Sequence, residues 1–378
     1  MLDIAAIRAA LPALTHHVYL NTGTYGPLPD AVRAAMESHV ERAHAEGRIG
    51  EAAYAAQSGL EAEVRAALAR VVHAPVADVA LTHCTSDGLN LVVGGLDWEA
   101  GDEVLVGDAE HPGLLVPLEV MGRRRGIETR VLPITEAADP VQMIADALTP
   151  RTRLVALSHV IWSTGRVLPI DRIAEVVHAH GALLLVDAAQ GPGCIPVDAP
   201  ATGADFYTIS GQKWLCGPSG TGGLYVRPEA VERLEPAFPG YPTMEKHPDG
   251  PRMWSGARRF EPGTVTMTAL AGLLAAIEWR EGIGFAAGWE RAMQLAGELR
   301  TRIDGVTGVE HIPVDAPSPL VALRVEGPSA EDVVADLDRR GIIVRTIPGT
   351  GIVRASVGFW NDESDLEHLV AALADIAT

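Results

Sequence analysis

Residues 182–187 read Ala-Leu-Leu-Leu-Val-Asp, an unbroken apolar run closed by a carboxylate. A strand with one wet face alternates apolar and polar residues, and this one does not. It must lie in a sheet covered on both sides, the usual state of a parallel sheet whose strands are joined by crossover helices. The flanking chain supplies the other strands. Short apolar runs at Val79–Thr82, Glu103–Val106, Thr129–Pro133, Thr152–Ser158, Ala204–Ser210 and Gly223–Val226 alternate with helix-like stretches. The spacing predicts a helix over Ile173–His180 ending at Gly181, a good C-cap, and a mostly helical Val32–Ala69. Right-handed crossovers then give a doubly wound sheet with helices on both faces.

The pattern changes near Gly263. Helices are predicted over Thr268–Arg280 and Gly288–Ile303. A strand at Leu320–Val325, a helix at Ala330–Arg340, strands at Ile342–Arg345 and Ile352–Ser356, and a last helix follow. The reading is a large α/β domain at 16–262 and a smaller α+β domain at 263–378, with residues 1–15 packed on the latter. A chain of 378 residues is long enough for two cores.

Composition excludes more than it selects. The formal net charge is −19, which argues against nucleic acid and anionic membrane as partners, since both need a basic surface. Arg123-Arg124-Arg125 reads as a solvated helix end or loop rather than a binding patch. The three cysteines, Cys84, Cys194 and Cys216, fit neither a disulfide framework nor a zinc pattern, so no metal is expected. No basic start with an apolar core suggests a signal peptide, and no apolar run approaches the ~20 residues of a membrane span. A cytoplasmic protein is expected.

Ligands of an open parallel sheet bind beyond the carboxyl ends of its strands. Asp187 ends the apolar run, where an anion is costly unless a cation meets it. Gln190 follows on the same turn. Lys213, in Ser210-Gly211-Gln212-Lys213-Trp214, precedes the Gly-rich turn Gly217-Pro218-Ser219-Gly220-Thr221-Gly222-Gly223. A lysine in such a dry setting has a lowered pKa and becomes a nucleophilic amine. Thr85-Ser86-Asp87-Gly88 lies between a strand and a helix, where hydroxyls and free N–H groups make either an anion site or a plain N-cap. His111 follows a strand end in Glu110-His111-Pro112-Gly113, placed to stack on a ring or move a proton.

The order Asp-x-x-Gln, Ser-x-x-Lys and Gly-Pro-x-Gly-x-Gly-x-Leu-Tyr, here Asp187, Gln190, Ser210, Lys213 and Gly217–Tyr225, resembles the class V aminotransferase group of fold-type I pyridoxal phosphate enzymes. The resemblance runs from about Tyr19 to the last helix. It implies that Lys213 carries pyridoxal 5′-phosphate as a Schiff base. It implies further that Asp187 pairs with the pyridine nitrogen, Gln190 contacts the ring hydroxyl and His111 stacks on the ring, with His159 near it. Thr85, Ser86 and Ser210 would hold the phosphate, supported by Gln212 where most relatives have His. Phe260-Glu261-Pro262-Gly263-Thr264 resembles the segment by which Thr264 reaches the neighbouring subunit's phosphate, which implies a homodimer with shared sites. Arg354 would bind the substrate carboxylate, with help from Arg345, and Trp254 would line the neighbour's pocket.

Within that group, desulfurases carry a cysteine on a mobile loop between the counterparts of Arg345 and Arg354. Thr346–Val353 contains none. The stretches Gly-Leu-Asp-Trp (95–98), Glu-His-Pro-Gly (110–113), Trp-Ser-Thr-Gly-Arg-Val-Leu-Pro (162–169) and Arg-Thr-Ile (345–347) are most similar to cystine C–S lyase. The expected activity is therefore β-elimination from cystine or a cysteine S-conjugate. Lys213 would serve as base and His111 as proton donor to sulfur. An aminotransferase, an isopenicillin N epimerase-like enzyme, a selenocysteine lyase or cysteine desulfurase, and an inactive binding protein are the alternatives.

Overall fold

The computed structural model describes residues 2–377; residues 1 and 378, both within the range expected for the small domain, lie outside it. Seven strands form the main sheet: β1 (Val79–Thr82), β2 (Glu103–Gly107), β3 (Glu128–Leu132), β4 (Thr152–Ser158), β5 (Leu183–Asp187), β6 (Phe206–Ser210) and β7 (Gly222–Val226). Their spatial order is β1-β7-β6-β5-β4-β2-β3. All neighbours are parallel except β7, which runs antiparallel to both β1 and β6. The sheet is thus mostly parallel, and the fold is that of the fold-type I enzymes.

β5 is buried along its whole length. Leu184 and Val186 join one apolar layer with Leu105, Val155 and Ile209. Leu183 and Leu185 join the opposite layer with Val104, Leu154 and Phe206. The absence of polar alternation in the sequence has this cause: both faces of the strand meet helices.

The stretch predicted as mostly helical over Val32–Ala69 is two helices, Asp30–Glu46 and Glu51–Val71. Gly47 and Gly50 break it, with φ of 86° and 98°, which other residues rarely adopt. Arg123, Arg124 and Arg125 form the last turn of the helix Pro112–Arg125, exposed, where cations complement the helix dipole.

The second unit is an antiparallel four-stranded sheet in the order Val309–His311, Leu320–Val325, Ile352–Ser356, Arg345–Ile347. Helices Phe285–Ile303, Ala330–Arg339 and Glu363–Ile376 close its core around Leu299, Leu323, Val353 and Leu369. Leu270, Leu273 and Ile277 of the helix Met267–Ile283 instead pack into the core of the large sheet. The N-terminal chain straps the two units together. Val18–Tyr19 pairs in parallel with Ile342–Ile343. The Ser356 N–H then donates to the Leu20 carbonyl, and the Gly26 N–H to the Gln212 carbonyl, beside Lys213. Among the described residues no helix is long and apolar enough to cross a membrane.

Candidate active site

A narrow cleft opens at the carboxyl ends of β4 and β5. Its walls include His111, Trp162, Asp187, Gln190, Lys213 and Arg345. Residues far apart in sequence thus meet at the sheet edge where ligands of this architecture bind.

Lys213 follows β6 and faces the cleft. Burial pulls its amine down to about 8 from 10.5, with Asp187 opposing that drop and Arg354 and Arg345 adding to it. A substantial fraction of neutral, nucleophilic amine therefore exists near neutral pH. The lysine turn is tightly seated: a Cβ on Gly26 would come within 2.2 Å of the Lys213 carbonyl oxygen.

Asp187 is buried, and its Oδ1 accepts from the Ala189 N–H at 2.9 Å. Gln190 is already engaged at both ends. Its Nε2 donates to the Gly23 carbonyl at 2.8 Å and its Oε1 accepts from the Trp214 indole at 2.7 Å. One amide hydrogen remains for a ligand.

The helix Thr85–Gly95 begins without a side-chain cap; its N-cap is Cys84. Neither Thr85 nor Ser86 is spent as an N-cap, so their hydroxyls and the first-turn N–H groups remain for an anion. Gly113 lets Ser86 and His111 approach, since a Cβ there would lie 2.8 Å from Ser86 Oγ and 3.1 Å from His111 Nδ1. Ser210 Oγ donates to Gln212 Oε1 at 3.0 Å, so these two residues form one polar pair beside the lysine.

His111 caps the helix Pro112–Arg125: its Nδ1 accepts from the Gly113 N–H at 3.0 Å. That bond requires an unprotonated Nδ1 and leaves the proton on Nε2. Burial lowers the pKa of the ring further. The ring is therefore held neutral, which suits stacking and suits delivery of a proton to sulfur poorly.

His159 does not line the cleft. Side chains alternate along the strand end, so Ser158 and Val160 face the cleft while His159 turns away. Its Nδ1 meets the Tyr207 hydroxyl at 2.8 Å, and burial pulls the ring down to about 4. The sequence expectation placed His159 at the ring; Trp162 occupies the wall instead. Thr264 and Trp254 also lie outside this chain's own cleft. Thr264 is exposed and shares a 2.9 Å bond with Tyr241, and Trp254 sits under the Arg258 guanidinium at 4.2 Å.

Arg354 is fully buried on the strand Ile352–Ser356. Its Nη1 donates to the Trp162 carbonyl at 2.7 Å, and its Nε has no partner. Arg345 donates to Thr24 Oγ1 at 3.3 Å. No carboxylate of the described residues lies within ion-pair distance of either guanidinium. Burial, then the neighbouring Arg345, pull Arg354 down to about 9. In a chain of net charge −19, these two adjacent cations have no acid partner among the described residues, a pairing whose charge an external anion would match. Gly23 closes it, since a Cβ there would meet Arg354 Nη2 and Ser356 Oγ at 2.8 Å.

Sequence reading passed over Glu110. Its carboxyl is buried and accepts from the Ser158 N–H at 3.0 Å and the Ser158 hydroxyl at 2.6 Å. Desolvation outweighs these bonds and pushes it up to about 8. It ties the His111 loop to the strand end beside Asp187, because Ser158 and Asp187 are register partners.

The set fits pyridoxal phosphate. An amine of lowered pKa, a carboxylate for a ring nitrogen, an imidazole held neutral and an uncapped helix start supply one partner for each part of that molecule.

Residues 18–369 match the family model described as aminotransferase class-V. The chain is 32% identical to a probable cysteine desulfurase of Methanothermobacter thermautotrophicus, over 98% of this chain and 97% of that one. It is 31% identical to isopenicillin N epimerase of Streptomyces clavuligerus, over 95% and 94%. Among solved structures, the cystine C–S lyase C-DES in complex with its product cysteine persulfide matches with a TM-score of 0.92. The identity there is 32%, over 97% of this chain and 99% of that one.

Proposed function

The chain belongs to the class V aminotransferase family, and from that premise we propose that it is a pyridoxal phosphate-dependent C–S lyase. It splits cystine or a cysteine S-conjugate by α,β-elimination followed by hydrolysis, consuming one water and giving pyruvate, ammonia and a persulfide or thiol. When bound, the cofactor supplies an electron sink for the Cα–H bond. The protein's residues do the rest. Arg354, with Arg345, holds the substrate carboxylate. Lys213 Nζ would take the Cα proton. Asp187 keeps the ring nitrogen protonated, and the neutral His111 ring covers the face of the site. Thr85, Ser86 and Ser210 hold the phosphate, with Gln212 behind them.

The observation that carries elimination over sulfur transfer is the hairpin between the two arginines. Strands Arg345–Ile347 and Ile352–Ser356 pair Ile347 with Ile352, leaving a four-residue turn with no thiol. Cys194 and Cys216 are buried, and burial raises both pKa values, that of Cys216 to about 12. Neither is available as a sulfur-accepting thiolate.

The protein acts in the cytoplasm, in keeping with its three free thiols, as a homodimer. Thr264 and Trp254 serve the partner's site, while Glu261 anchors their segment through Arg65 and the Leu81 N–H.

The test is incubation of the holoprotein with cystine, cysteine S-conjugates and plain amino acids, following pyruvate. Pyruvate from β-substituted substrates alone is expected. Its absence from all of them would sink the elimination reading. Oxo-acid-dependent turnover without pyruvate would point to transamination, and α-hydrogen exchange with inversion to epimerisation.

A further inference from the structure

Trp162 belongs to the loop after β4, yet its ring packs on the small unit, against Ile347 and Ile352. Both ends of the residue serve the anion receptor. Its carbonyl accepts from Arg354 Nη1 at 2.7 Å. Its ring lies beneath the Arg345 guanidinium, 5.4 Å from the centroid. The same ring meets His111 edge-on, with centroids 5.4 Å apart and planes at 80°. Its Nε1–H is buried without an acceptor. A buried donor left unmet costs stability, so the ring's position is not one that stability alone would select.

The geometry points to Trp162 as a specificity-determining residue: its indole braces Arg345 and His111 at once and so sets how tightly the amino-acid substrate is held. This rests on the reading of the cleft as an amino-acid site. Without the ring, Arg345 loses its only aromatic support among the described residues. The carbonyl bond to Arg354 survives any side-chain change, so one arginine is perturbed and the other spared. The expected signature is a rise in KM that exceeds any fall in kcat.

The test uses holoprotein and alanine, which has no β leaving group. Alanine binding is read from the change in cofactor absorbance, with cofactor content and Tm measured alongside. Trp162→Leu should weaken alanine by about tenfold, and Trp162→Phe, which keeps a smaller ring, by about threefold, with cofactor retained. Unchanged alanine affinity in both variants would overturn the inference. So would loss of cofactor in both, which would make Trp162 a residue of the fold. Wild-type protein that binds alanine but frees no pyruvate from cystine would sink the elimination reading, and the same titrations would still decide this one. A wild-type spectrum indifferent to every amino acid would overturn both.

Discussion

Two arginines are entirely buried in this protein, and they are buried differently. Arg280 lies between two rings, 4.0 Å from the Phe359 centroid and 4.9 Å from that of Phe285. It makes one hydrogen bond, to the Gly193 carbonyl, and no ion pair among the described residues. Arg354 has no ring over it; it has the Trp162 carbonyl, the Thr24 hydroxyl and a second arginine, Arg345, which itself lines the cleft. Burial lowers both, Arg280 to about 10 and Arg354 to about 9. The lesson is that a lowered arginine pKa by itself marks neither a site nor a structural role. What separates the two is what surrounds the charge: two aromatic rings at Arg280, and at Arg354 polar oxygens and a second arginine that lines the cleft.

Substitutions break that comparison most sharply. Arg354→Met should cost about a thousandfold in kcat/KM while cofactor uptake persists, because a charge-assisted carboxylate contact is lost. Its Tm should not fall, since an uncompensated buried charge is removed. A variant of low Tm and ordinary activity would reverse the assignment. Arg280→Ala should do the opposite, losing about 3 kcal/mol of stability by leaving a cavity between the rings. Urea unfolding gives the loss, and activity per folded molecule should match wild type.

The same contrast extends to groups that can lose or keep a proton. Only the neutral Lys213 amine attacks an aldehyde. The rate at which apoprotein takes up pyridoxal phosphate should therefore rise about tenfold per pH unit and level off near 8. A profile still climbing toward 10.5 would mean that the lysine is not desolvated in solution.

Glu110 keeps a proton that Lys213 tends to lose. Its unfolded carboxyl titrates near 4.5 and its folded one near 8. Between those values the folded protein keeps a proton that the unfolded chain has released, so stability falls as pH rises through that window. Glu110→Gln retains both contacts to Ser158 and cannot titrate. Its Tm advantage over wild type should grow by a few degrees from about pH 5 to about pH 8. A constant gap would show that the carboxyl is ionised throughout.

How far the sequence reached follows the same physics. β5 and the turns at Lys213 and Asp187 were legible because unbroken apolar runs and glycines report local burial. The split at Gly47 and Gly50 was missed, because two helices separated by a short turn share one composition. His159 was assigned to the ring by its neighbourhood, and the alternation of the strand end sent it to Tyr207 instead. Glu110 and Trp162 were not singled out because what defines them is remote: Ser158 lies 48 residues from Glu110, and Arg354 lies 192 from Trp162. Gly23 and Thr24 were missed for the same reason, since their partners come from the other end of the chain.

That last pairing has a consequence for biosynthesis. Val18 pairs with Ile342, and Leu20 with Ser356. A ribosome must therefore have passed Ser356 before the strap that seats the lysine turn finds all its partners. The large sheet can assemble as it emerges, but the amine and the two arginines meet only once Ile342–Ser356 have emerged as well. A nascent chain would hold the residues of the chemistry in place on one side and be unable to use them.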